Sequence, residues 1–185
     1  MAPPSTTEPR RQTKPGEAGQ NAASPHDGER LDLFQFAPFR LNRLAAEVSA
    51  ALASEYRERY GLDIPEWRVL ATLGFRRDAC SAQYVSECTR THKSTISRAV
   101  TSLLDRRLIE RVENADDRRE FRLRLTRKGK TVYEELIPRL RRQERKIMAC
   151  LSVDERKMFD QLIGKLEASL DLIQTSEQAD AKQAY

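Results

Sequence analysis

From Leu31 onward the apolar positions fall at helical spacing. Phe39, Leu41, Leu44, Ala45, Val48, Ala51 and Leu52 form one stripe that predicts a helix running to about Tyr60. Pro38 suits its first turn, where a missing N–H costs nothing. Gly61 then stops the chain and Pro65 starts the next helix, Glu66 to about Phe75, with Trp67, Val69, Leu70 and Leu73 as its apolar positions. Ser81 is the expected N-cap of a short helix, "AQYVSECT", and Arg90 to His92 form a turn. "KSTISRAVTSLLDRR" is a further short helix, with Ile96, Ala99, Val100, Leu103 and Leu104 on its inner face. At about 100° per residue, Ser94, Arg98, Thr101 and Asp105 lie opposite, flanked by Thr95 and Ser102.

The period then changes from 3.6 to 2. "LIERVEN" and "EFRLRLT" alternate as two short strands joined by "ADDR", which is the pattern of a β-hairpin. Phe121, Leu123 and Leu125 take one side of the second strand, Arg122 and Arg124 the other. From Thr126 a helix resumes through Val132, Leu136 and Leu140 to about Cys150, with Pro138 placed to kink it. "SVDE" is a capping box, Ser152 to Glu155, opening a last helix with Met158, Phe159, Leu162, Leu166, Leu170 and Ile173. The expected fold is mainly α with a small β-hairpin. Two short helices, a tight turn and a basic hairpin make a winged helix-turn-helix.

Residues 1–30 and 177–185 carry little to bury and are expected to be a disordered N-terminal arm and a flexible tail. Between them the pattern gives an N-terminal helix over 31–62, the winged region over 63–128 and C-terminal helices over 129–176. Charge sharpens this division. Of a net +5, residues 66–130 hold sixteen Lys and Arg against nine Asp and Glu, or +7, leaving −2 for the rest. The basicity belongs to the winged region, which suits an anionic partner.

The apolar runs fall short of the roughly 20 residues a membrane span needs, and the N-terminus lacks a secretory h-region. Cys80, Cys88 and Cys150 have neither disulfide nor zinc spacing, so a reducing cytoplasm is the expected setting and neither metal nor cofactor is expected. An enzyme is disfavoured by inventory: His26 and His92 have no nucleophile or metal cluster around them, and there is no phosphate-binding glycine loop. A helical protein-interaction adaptor is the rival of another class, but it would have no need of Arg98 together with the hairpin arginines.

Hydroxyls and one long cation on an outer helix face suit base edges and phosphates in a major groove. A solvated face would instead carry Glu/Lys pairs one turn apart. The expected DNA contacts are Arg90, His92, Lys93, Ser94, Thr95, Arg98 and Thr101, with Arg118 and Arg119 at the hairpin tip, where narrow minor grooves favour arginine. Asp117 is placed to hold a tip arginine extended. The competing account of that strand is a solvated face with mutual charge cancellation.

Residues 31–175 resemble the MarR family of winged-helix regulators. The matching stretches are "IPEWRVLATL", "KSTISRAVTSLLDRRLIER" and "DDRREFRLRLTRKG". The last resembles the family's Asp-x-Arg wing and Leu-Thr-x-x-Gly, with Asp117, Arg119, Leu125, Thr126 and Gly129 in those places. Two positions depart: where the family usually has Gly before and after the recognition helix, this chain has Arg90 and Arg107. The resemblance implies a homodimer through the first and last two helices, a double-stranded pseudo-palindromic operator, and repression as the default. It also implies a small anionic effector, an aromatic acid or its coenzyme A thioester. Phe36, Phe39, Arg40, Arg43 and Trp67 are the candidates to bind it, and dimer core is the equal alternative for the aromatics. A thiol-based redox repressor using Cys88 is the alternative form of control.

Overall fold

The computed structural model describes residues 30–76, 78–113 and 121–172. They divide into two compact units at Arg40/Leu41. In the first, Asp32 shapes a turn: its carboxylate accepts from Phe34 N at 3.0 Å and its carbonyl from Phe36 N at 3.0 Å. Phe34 and Phe39 meet edge to face at 6.0 Å.

The elements are α1 (Ala37–Tyr60), α2 (Ile64–Phe75), α3 (Ala82–Cys88), α4 (Lys93–Asp105), β1 (Ile109–Glu113), β2 (Phe121–Leu125), α5 (Arg127–Ile147) and α6 (Val153–Ser169). Each predicted element is present, with altered ends. Helix α2 starts two residues before Glu66 because Asp63 caps it, accepting from Glu66 N at 2.7 Å while Glu66 returns a bond from Asp63 N. The last turn expected of α5 tightens into a 3-10 turn, Met148–Cys150. Pro138 lies inside α5, which runs unbroken from Arg127 to Ile147. Gly61 stops α1 at φ +58°, Ser81 caps α3, and Ser152 with Glu155 forms the expected capping box of α6.

Helix α2 is the hub of the second unit, packed against α3, α4, α5 and β2. Its Val69, Leu70 and Leu73 join Val85, Ile96, Val100, Leu103, Ile109, Leu123 and Leu136 in one buried cluster. Cys80 belongs to it and also bridges to Leu123 as a one-residue third strand, with bonds of 3.1 and 2.8 Å. Burial pushes its thiol up to about 11, so it stays protonated at neutral pH.

The Leu-Thr-x-x-Gly stretch has a clear physical role. Thr126 caps α5 by accepting from Gly129 N at 3.0 Å and donates its hydroxyl to the Arg107 carbonyl at 2.8 Å. This draws the start of α5 onto the backbone leaving α4. A Cβ on Gly129 would stand 1.8 Å from the Leu108 carbonyl oxygen, so only glycine fits.

Helix α6 has no buried residue in the protomer. Met158, Leu162 and Leu166, one turn apart, are 55%, 50% and 49% exposed. An apolar row left that open on a charged helix is an uncommon surface, of the kind that marks interaction sites.

Two glycine substitutions should therefore fail differently. Gly129→Ala forces backbone apart and should cost at least about 2–3 kcal/mol. Gly61→Ala meets no atom within 4 Å and carries only left-handed strain, about 1 kcal/mol. Denaturant unfolding of both proteins checks the ranking; equal losses would contradict it.

Candidate nucleic-acid interface

Helix α4 presents the two faces its sequence predicted. Ile96, Ala99, Val100 and Leu103 are buried, and Leu104 packs partly against the same core. Ser94, Arg98, Thr101 and Asp105 are exposed, and Thr95 and Ser102 are half-buried at the margins. Lys93 is exposed at the first turn.

The helix is fixed at both ends. At its start, His92 is the N-cap, a role its sequence position did not reveal. Its Nδ1 accepts from Ser94 N at 3.3 Å and pairs with Ser94 Oγ at 2.8 Å. Accepting at Nδ1 leaves the ring proton of neutral His92 on Nε2. The preceding turn is tied by Ser86 Oγ to the Thr91 carbonyl at 2.7 Å, and by Arg68 to Thr91 Oγ1 at 3.0 Å. At the other end, Ser102 donates its hydroxyl to Glu66, and Arg106 approaches the same carboxylate at 3.6 Å. Arg106 also donates to the carbonyls of Gly61, at 3.2 Å, and Tyr60. Glu66 was read from sequence only as the start of a helix. It is a buried carboxylate that meets three groups at once, the Asp63 amide, the Ser102 hydroxyl and the Arg106 guanidinium.

Arg90 and Arg107, the two departures from glycine, both take left-handed backbone, with φ 49° and 56°. Both side chains are exposed. A non-glycine residue there costs about 1 kcal/mol, so these turns take a glycine-like shape at the expense of strain.

In the hairpin, β1 and β2 are antiparallel, pairing Ile109 with Leu125, Arg111 with Leu123 and Glu113 with Phe121. Leu123 is buried and Leu125 half-buried, as alternation predicted. On the opposite face Arg124 donates to Glu110 at 2.7 Å. That arginine is charge-paired, as the solvated-face account required of it. Asp117, Arg118 and Arg119 lie outside the described residues. Helix α4 and the strands at the root of the hairpin are thus held in one frame, with a cleft of about 380 Å³ between them.

The effector candidates fall in different units: Phe36, Phe39 and Arg40 in the first, Arg43 and Trp67 in the second. Within the second unit Trp67 stacks between Tyr56, at 5.6 Å, and Tyr133, at 6.2 Å. Trp67 is partly buried and packs against the core of that unit. Cys88 and Cys150 are exposed free thiols. No described helix is long and apolar enough to cross a membrane.

These features define a winged helix-turn-helix, a DNA-binding class of transcription regulator. Residues 60–120 match the sequence model of the MarR family. A MarR-family transcriptional regulator from Silicibacter pomeroyi has a similar structure, at 28% identity and a TM-score of 0.63, over 78% of this chain and 94% of that one. A MarR/EmrR-family regulator from Acinetobacter sp. ADP1 superposes with a TM-score of 0.68 at 24% identity, over 76% and 99%. The PcaV regulator of Streptomyces coelicolor gives 0.62 at 25% identity, over 77% and 99%. No curated protein sequence matches the chain. In sequence over residues 60–120, and in fold through the helices beyond them, the chain is similar to winged-helix regulators of the MarR type.

Replacing Arg90 by glycine separates shape from contact. Relief of strain and added freedom of the unfolded chain oppose one another, so stability should change by less than about 1 kcal/mol. If the guanidinium meets a phosphate, the salt slope of DNA binding should fall by about one unit. Thermal unfolding and binding at several salt concentrations read the two effects; an unchanged slope would remove Arg90 from the interface.

Proposed function

We propose that this protein is a homodimeric repressor that reads a pseudo-palindromic operator and leaves it when a small anionic effector binds. The observation carrying the DNA reading is α4: a hydroxyl-rich face with Arg98 exposed, fixed at both ends, beside a basic hairpin. Its Ser94, Thr95, Arg98 and Thr101 would address base edges, and Arg90, His92 and Lys93 the flanking phosphates. Arg118 and Arg119 would enter the adjacent minor groove, with Asp117 orienting them.

The open row on α6, and the exposure of Leu41 and Leu44 on α1, support dimerisation through these helices. Two readers on one axis would then sit about 34 Å apart, one turn of duplex. Effector control is supported by family resemblance; PcaV was solved with its natural ligand. Arg40 and Arg43 are the candidate anion contacts, Phe36, Phe39 and Trp67 the aromatic ones, and an aromatic acid or its coenzyme A thioester the ligand class. The setting consistent with these partners is the cytoplasm.

The decisive experiment is a gel shift on DNA flanking the protein's own coding region, repeated across a salt series. A specific complex whose affinity falls steeply with salt is expected, and Arg98→Ala should weaken it by about 1–3 kcal/mol while relaxing sequence preference. Salt-independent association, or none, would favour a protein-interaction adaptor. Aromatic carboxylates added to the same complex should release the DNA, and Arg40→Ala with Arg43→Ala should blunt that release without weakening the complex. Release that persists unchanged would place the effector elsewhere.

The dimer has its own test. Leu162→Glu with Leu166→Glu should leave a folded protomer, because both side chains are half exposed, but should shift sedimentation from dimer to monomer. Operator affinity should fall at least tenfold with the loss of the second half-site. A monomeric wild type would end this part of the proposal.

A further inference from the structure

The exposed face of α4 does not exhaust its polar chemistry. Lys93, Ser97 and Thr101 follow one another at single-turn spacing and line the cleft toward the hairpin, a second stripe beside that of Ser94 and Arg98. Across the cleft stand Arg111 of β1 and Phe121 of β2, above a floor of Val100 and Leu123.

Strand pairing decides which way Arg111 faces. It is paired with Leu123 and its neighbour Glu113 with Phe121, so Arg111 shares the sheet face of Leu123 and Phe121. Its guanidinium lies 5.8 Å from the Phe121 ring centroid, within cation–π range. Arg124, on the other face, is bound to Glu110 instead. Of the strand arginines, Arg124 is thus neutralised outward while Arg111 is held over an aromatic ring.

The donors lining the cleft suit an anion. Lys93 and Arg111 supply two cations and Ser97 a hydroxyl, whereas Thr101 has given its hydroxyl proton to the Ser97 carbonyl at 3.0 Å. No carboxylate occurs among the described residues lining it. Duplex geometry indicates what the anion is. The ridge between a major groove and the next minor groove is one sugar–phosphate strand. A protein with α4 in the first and its hairpin over the second must straddle that strand, and this cleft lies between the two.

We infer that the helix–hairpin cleft is a seat for one backbone phosphodiester of the DNA, held by Lys93, Ser97 and Arg111, with Phe121 against the adjoining deoxyribose. This rests on the DNA-binding reading proposed above and adds a contact on the first strand of the hairpin. Such a contact carries no sequence information; it sets how α4 lies along the groove.

The test combines protein and DNA substitutions, using the full-length protein and its operator. Arg111→Ala should lower affinity roughly tenfold at moderate salt and reduce the salt slope by about one unit, on operator and unrelated duplex alike. Arg111→Lys should keep the slope, and Arg124→Ala should change neither quantity. Single methylphosphonate linkages, which remove one phosphate charge, should then be scanned along the operator strand. One position should weaken the wild type about as much as Arg111→Ala does and add nothing further in that variant. Unfolding curves of Arg111→Ala should match the wild type, since the side chain is exposed. If the wild type binds with a steep salt slope while Arg111→Ala behaves identically, the seat is wrong and the DNA reading stands. The seat is equally wrong if the costs of Arg111→Ala and of every methylphosphonate simply add. If the wild type binds no duplex in a salt-dependent way, the DNA reading fails and takes the seat with it.

Discussion

The reader helix is held in place by one buried carboxylate. Glu66 accepts from the Asp63 amide, which closes the start of α2, and from the Ser102 hydroxyl near the end of α4, while Arg106 lies 3.6 Å away. A charge taken from water this completely is tolerated only when its lone pairs are filled, and here α2, α4 and the turn after α1 all contribute to the arrangement. Removing the carboxylate would leave the Asp63 amide and the Ser102 hydroxyl without their acceptor, at a cost of about 1–3 kcal/mol. The constraint is directional as well as stabilising. Apolar packing of Ile96, Val100 and Leu103 would tolerate some sliding of α4; hydrogen bonds at both ends define its angle against α2.

A second joint governs the hairpin. Arg107 turns the chain in left-handed backbone, and the next residue, Leu108, presents its carbonyl to Thr126 N at 3.1 Å. Gly129 lets α5 approach that carbonyl closely. The strands leave and return through this joint, and the Cys80–Leu123 bridge fastens them to the segment before α3. The hairpin root therefore moves with α4 rather than as an independent arm. This rigidity gives the cleft between them a fixed width, which a backbone-straddling contact requires.

Strain is accepted where it serves this geometry. Both residues bracketing α4 are arginines in conformations that glycine would adopt without penalty. Each costs about 1 kcal/mol and places a cation at an end of the reader. The shape of the turn is enforced by its surroundings, including Ser86 and Arg68 on Thr91, rather than by the residue itself. In physical terms a left-handed position that glycine would adopt without penalty can take arginine when neighbouring hydrogen bonds over-determine the backbone.

The sequence alone determined the elements, since each is written in a local period: 3.6 for the helices, 2 for the hairpin, with Gly61, Ser81 and Ser152 as punctuation. It also determined which face of α4 is inner. The family motif made the winged fold legible for the same reason, because its spacing is local. What tertiary structure decided were the pairings between segments far apart in the chain. Glu66 with Ser102, Cys80 with Leu123, Trp67 between Tyr56 and Tyr133, and Arg111 over the second stripe of α4 leave no periodic trace. Likewise the role of His92 as a cap depended on its rotamer rather than on its place in the turn. Periodicity reports which side of an element is buried; it cannot report what is buried against it. That choice is made by packing in three dimensions, where a single residue on each of two distant segments is enough to fix an angle.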